Sequence, residues 1–276
     1  MIAERADGNM WFTESAAGLI GRVTLAGDIT EFAIPKPDSR PLGICAGADG
    51  SIWFTENFGD RIGRIDPSGR VREIAIPTSH SLPDTITAGT NGDVWFTEWA
   101  GNKIGRINSL GVLREFPVPT VDSNPDGITM GPDGNVWFTE NRTNKVARLN
   151  SAGVISEFSL PTPNSQPDGI TTGPLASLWL VEHQGSRWAR VTTDGAVTEF
   201  RLSEGSQPDD IVASSGTTMW LTEFGVGGLA RVTANGRDSE ILLTASDSMP
   251  HGIARGPGNS IWFVERNANK IGTLPT

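Results

Sequence analysis

The chain has 276 residues, 37% of them hydrophobic, with 33 Gly, 18 Pro, one Cys and a formal net charge of −10. The acidic balance argues against a nucleic-acid partner, since phosphate binding depends on clustered Lys and Arg. No apolar run approaches the ~20 residues of a membrane-spanning helix, and Cys45, the sole cysteine, excludes an internal disulfide.

In chain order, the first strong element is Met10-Trp11-Phe12-Thr13-Glu14, a run of β-forming side chains behind an Asp7-Gly8 turn. The phrase returns around Trp53, Trp95, Trp137, Trp179, Trp220 and Trp262 at intervals of 42 residues, with one of 41 before Trp220. A period of this size, with several short apolar segments in each copy, marks a β-propeller whose blade is a four-stranded antiparallel sheet. Seven copies predict an all-β, seven-bladed propeller in one domain, 1–276, with blades at roughly 1–35, 36–77, 78–119, 120–161, 162–202, 203–244 and 245–276.

The fourth copy shows one blade in full. Ile128 to Gly131 reads as an inner strand, Asp133-Gly134 as a hairpin turn and Val136 to Glu140 as the second strand. Lys145 to Leu149 makes the third strand, Ala152-Gly153 the next turn and Val154 to Leu160 the outer strand, ended by Pro161, which cannot donate to a ladder. The turn glycines are expected to supply positive φ. One Trp per copy at one strand position is expected to wedge between blades, its ring nitrogen tied to a backbone carbonyl. The seventh copy lacks the outer-strand phrase that ends the other six. Either upstream residues supply that strand, or the last blade has three strands and an open edge. Cys45 falls in an inner strand and reads as a buried thiol. No leader segment is visible, so cytoplasm is the expectation, with a processed secreted chain as the alternative.

Symmetry is broken at the residue after Pro where each inner strand begins: Leu42, Asp84, Asp126, Asp168, Asp209 and His251. These residues, with Glu14, Glu56, Glu98, Glu140, Glu182, Glu223 and Glu265 at the ends of the Trp strands, are expected around one mouth of a central channel. They would form an acidic funnel with one imidazole. Such a funnel suits Mg²⁺ or Ca²⁺, although each Asp could equally accept bonds from its own turn, and a Glu repeated in every blade could equally hold blades together. His251 has the near-neutral pKa suited to a general base. His183 could line the same mouth, whereas His80 belongs to an exposed loop. No nucleophile elbow, phosphate loop or zinc motif is present.

Pro-His-Gly-Ile at 250–253, Ile-Trp-Phe at 261–263 and the recurring Asn-Lys-Ile-Gly resemble the virginiamycin B lyase (streptogramin B lyase) family across all seven repeats. The resemblance implies a seven-bladed enzyme that inactivates type B streptogramins, an antibiotic-resistance activity, by Mg²⁺-dependent elimination across an ester. It implies His251 as the base and Glu265 as a metal ligand. The family's second metal-binding Glu corresponds to Met249, and its substrate-contacting His to Asp209. The expectation is therefore a Mg²⁺-dependent C–O lyase opening a cyclic depsipeptide or related ester, with Asp209 or Asp210 supplying the lost metal oxygen. Asp209, Asp168, Asp126, Asp84 and His183 are expected to contact a small-molecule substrate on a monomeric protein without nucleic-acid or membrane partners. A non-catalytic ligand- or protein-binding propeller and a lactone hydrolase are the alternatives.

Overall fold

Each repeat folds into one sheet because its β-forming runs are bounded by residues that break a ladder: Gly at positive φ in the hairpins and Pro at the sheet ends. In the computed structural model, which describes residues 1–243 and 247–275, the sheets follow one another along the chain. Six have four antiparallel strands in sequence order, and the seventh has three among the described residues. The fold is a seven-bladed β-propeller. The chain divides into two compact units, Met1–Ile128 and Thr129–Thr276.

In the fourth repeat the strands run Pro125–Met130, Val136–Glu140, Lys145–Leu149 and Ile155–Ser159. The inner strand therefore begins three residues before the Ile128 expected from hydropathy, and the outer strand is shorter at both ends. The earlier start has a physical cause visible in the neighbouring repeats. The fifth repeat pairs Pro167 with Glu182, then slips register before Ile170 pairs with Leu180. The same break follows Pro41, Pro208 and Pro250. A β-bulge thus sits at each of these starts, and it carries the residue after Pro that breaks the sequence symmetry.

The tryptophans wedge between successive sheets as expected. Trp11 packs with Ile44, Ile52 and Phe54 of the second sheet in the first unit. In the second unit Trp137 packs with Ile170, Leu178 and Leu180, and Trp179 with Ile211 and Leu221. Their ring nitrogens depart from expectation in several repeats: among the described residues Trp179 reaches a backbone carbonyl, that of Pro174, at 3.1 Å. Trp137 donates to Asp133 Oδ1 and Trp262 to Ser260 Oγ, while the nitrogens of Trp11 and Trp220 are buried without a partner. Wedge position is dictated by area burial, and the ring nitrogen takes whatever acceptor its own hairpin offers.

Two hydrogen-bonded links join neighbouring sheets within a unit. The Thr two residues after Trp accepts from the second residue past Pro in its own sheet, as Thr55 Oγ1 does from Gly43 N–H at 2.9 Å. It also donates to the bulge carbonyl of the next sheet: Thr55 to Asp84, Thr139 to Asp168 and Thr222 to His251. The second link explains the Asn of Asn-Lys-Ile-Gly. Asn144 sits at φ 60 and donates through Nδ2 to the carbonyls of Leu160 and Thr162. Its Oδ1 accepts from both Ser165 N–H and Ser165 Oγ. The Gly of that phrase lies under an aromatic ring: a Cβ on Gly105 would stand 2.0 Å from Phe96 Cζ.

Candidate functional site

The site is built on the bulges of the second unit. A bulge frees one residue from the ladder and re-aims its side chain, and in the fifth, sixth and seventh sheets that residue is Asp168, Asp209 and His251. His251 Nδ1 lies 3.2 Å from Asp209 Oδ2, with 36% of the His251 side chain exposed but only 10% of Asp209. The imidazole thus meets a buried carboxylate while part of its surface reaches solvent. The Thr222 hydroxyl fixes the His251 backbone by donating to its carbonyl at 2.8 Å. Burial holds the His251 imidazole below its usual pKa, leaving it neutral at pH 7. Burial raises the Asp209 carboxyl to about 6, with the Arg266 guanidinium opposing the shift. With Nδ1 facing the carboxylate, Nε2 is the ring nitrogen left to take a proton.

A second cluster adjoins the first. Asp168, His183 and Asp209 each place one donor atom within 4.8 Å of the others. His183 follows the second strand of its sheet, Ser177–Glu182, and its Nδ1 lies 3.2 Å from the Pro208 carbonyl. The carbonyl cannot donate, so the proton is on Nδ1. Phe224 packs against the ring, with centroids 6.0 Å apart. Asp210 takes the place after Asp209, and its Oδ1 and Oδ2 accept from the N–H groups of Ile211 and Ile253. Burial raises it to about 6. The pair Asp209-Asp210 is therefore divided in labour, the first facing the imidazoles and the second tying the sixth sheet to the seventh.

The structure brings together His251, Asp209, Asp168 and His183 of the expected residues. Asp84 and Asp126 occupy the same place after Pro in the first unit, where their carbonyls accept the hydroxyls of Thr55 and Thr85. Glu265 ends the strand Ile261–Glu265, opposite Pro250, and is outside the three-donor group. Of the seven glutamates expected around the mouth, Glu56, Glu98, Glu140, Glu182 and Glu223 have no exposed surface and line none, as the blade-holding alternative has it, whereas Glu14 and Glu265 are half-buried. Cys45 is partly buried, and desolvation pushes its thiol up to about 12. His80 is exposed at φ 54, as expected for a loop. Residue-by-residue reading missed Arg266, whose charge acts on Asp209 and His251. Its signal was available: the residue after each repeated Glu runs Ser15, Asn57, Trp99, Asn141, His183, Phe224 and Arg266, and only the seventh is an arginine.

A seven-bladed propeller with an imidazole–carboxylate pair on adjacent bulges belongs to the class of propellers that carry a polar site at the ends of their inner strands. The chain belongs to the virginiamycin B lyase family, whose model matches residues 1–161 and 128–276. It is 40% identical to a solved virginiamycin B lyase from Staphylococcus aureus, with a TM-score of 0.96 over 100% of this chain and 94% of that one. A catalytically inactive histidine-to-alanine form of that enzyme with quinupristin is 39% identical, with a TM-score of 0.96 over the same shares. A streptogramin B lyase structure is 36% identical, with a TM-score of 0.95 over 99% of this chain and 91% of that one. Among curated proteins no relative matches. The two-glutamate magnesium pair implied by the family does not fit this chain's residues. Met249, partly buried at φ 49, presents a thioether where a hard ion needs oxygen.

Proposed function

We propose that the chain is a carbon–oxygen lyase that opens a cyclic depsipeptide or related ester by elimination, with His251 as the base. The observation that carries this reading is the 3.2 Å contact between His251 Nδ1 and Asp209 Oδ2, with the imidazole partly exposed. Asp209 orients the ring and stabilises the imidazolium formed when Nε2 takes the proton, as a carboxylate does in other base dyads. Removal of a proton from the carbon next to the ester-bearing carbon sends its electron pair into a new C=C bond. The C–O bond then breaks, and the carboxylate leaves without addition of water. The inactivity of a histidine-to-alanine form of the related lyase supports a reading in which a histidine takes part in the reaction. Met249 and Asp209, where the family implies Glu and His, favour a second reading in which the same site binds a ligand without turning it over.

Incubation with a type B streptogramin, followed by liquid chromatography and mass spectrometry, tests the proposal. A product of unchanged mass and shifted elution is expected, with His251→Ala lowering the rate roughly 10²- to 10⁴-fold. Gain of one water would instead make the protein a lactone hydrolase, and an intact substrate that still binds would favour the non-catalytic reading.

A further inference from the structure

His183 can be compared with its counterparts in the other repeats, because the residue after the repeated Glu has a scaffold duty. In the second repeat Asn57 Nδ2 donates to the Pro83 carbonyl at 3.1 Å, and in the fourth Asn141 Nδ2 donates to the Pro167 carbonyl at 3.2 Å. His183 makes the same bond, through Nδ1 to Pro208, at 3.2 Å. An asparagine amide suffices for this duty. The second ring nitrogen of His183 is therefore surplus to the fold, and with the proton on Nδ1 it is Nε2 that carries a lone pair.

That imidazole stands beside two carboxylates. Donor atoms of Asp168, His183 and Asp209 all lie within 4.8 Å of one another, close enough for small side-chain rotations to bring them onto one ion. Asp209 is 8% exposed, and a buried carboxylate requires compensation by a cation or by hydrogen bonds. Metal-ligating histidines commonly give their other N–H to a backbone carbonyl, which fixes tautomer and ring orientation; the Pro208 contact provides this. His251, on Asp209 Oδ2, would be the outer partner of a ligating carboxylate.

We propose that Asp168, His183 and Asp209 form a binding site for a divalent first-row transition ion, such as Zn²⁺ or Co²⁺. One imidazole nitrogen with two carboxylates suits such ions better than Mg²⁺, which prefers an all-oxygen shell and keeps its waters. Three protein donors leave coordination positions open for a ligand oxygen. This site differs in donors and place from the pair at Met249 and Glu265, and it does not depend on the lyase reading. If both hold, Asp209 is shared, and the ion lies one carboxylate away from the base.

The test is direct titration of the tag-free, metal-stripped full chain with Zn²⁺ by calorimetry, and with Co²⁺ by visible absorption. His183→Asn is the decisive variant, because asparagine keeps the bond to Pro208 and deletes only the surplus nitrogen. We expect saturable binding near one ion per chain, weakened roughly 10- to 100-fold in His183→Asn. The metal-free melting temperature should stay unchanged. Asp168→Asn, at the edge of the cluster, should weaken binding to a similar degree and guards against loss of fold in the first variant. Absence of saturable Zn²⁺ or Co²⁺ binding in the native chain would overturn the proposal. So would equal affinity in native chain and His183→Asn, which would place the ion elsewhere. Because no substrate is present, an inactive enzyme that binds Zn²⁺ through His183 would sink only the lyase reading.

Discussion

Asp210 stands where the second, fourth, fifth and seventh repeats have glycine: Gly43, Gly127, Gly169 and Gly252. Its carboxylate bridges two inner strands, accepting from Ile211 N–H at 2.8 Å and Ile253 N–H at 3.1 Å, two residues past His251. The bridge adds to the Thr222 link between the sixth and seventh sheets, whereas the junction between the fifth and sixth lacks its threonine. In the fifth repeat Val181 replaces the linking threonine and has no hydroxyl for the Asp209 carbonyl. Asp210→Ala should orphan the Ile253 N–H and cost about 1–3 kcal/mol, measured as a shift in urea midpoint at constant slope. An unchanged midpoint would show that the bridge contributes nothing net. The sequence exposed Asp210 only as a second carboxylate available to a metal. Its bonding role depends on the bulge that turns the chain there, and a bulge between Pro and a β-branched residue leaves no mark on hydropathy.

At the scale of the strand, the repeated glutamates form a row of buried acids. Glu56, Glu140 and Glu182 are pushed up to about 7 and Glu98 to about 8, in each case chiefly by burial. For Glu98 the neighbouring Glu115 and Asp60 add repulsion, while Lys103 opposes it. A carboxyl that holds its proton more tightly when folded contributes full stability below its ordinary pKa of 4.5, and loses that contribution as pH rises through about 8. The native chain should therefore lose up to ~1.4 kcal/mol per pH unit from this one group. Glu98→Gln, isosteric and uncharged, should show a shallower fall in denaturant midpoint over the same range. Parallel pH profiles for the two proteins would mean that Glu98 is already charged in the fold. Strand positions were legible because Trp and its turns recur at a fixed period. The burial of these acids was not, because both faces of a sheet pack on neighbours in this fold and alternation no longer separates inside from outside.

At the scale of the molecule, the seventh sheet differs from the other six, since its third strand, Lys270–Leu274, has no fourth strand beyond it among the described residues. The corresponding third strand of the fifth sheet, Arg187–Val191, is paired on both sides. Opening free energies are lower where backbone hydrogen bonds face solvent. Amide exchange should therefore be faster in Lys270–Leu274 than in Arg187–Val191, read by mass spectrometry of peptides covering each. Equal protection would mean that something covers that edge in solution. The number of sheets and the short final one were both legible from counting phrases. The assembly of Asp168, His183, Asp209 and His251 was legible only as a list of unlike residues at like places.

The bond made by Asn57, Asn141 and His183 to the proline carbonyl of the following repeat has an evolutionary corollary. Because side chains of different chemistry satisfy the same structural requirement, that place behaves as a socket in which the plug can be exchanged without rebuilding the wall. Drift from asparagine to histidine adds chemistry at almost no cost to architecture. New reactive groups can thus be tried one repeat at a time without rebuilding the neighbouring sheet. Where such a scaffold acquires unfamiliar substrates, the places after the repeated glutamates are the first to inspect, ahead of the tryptophans that make the family recognisable.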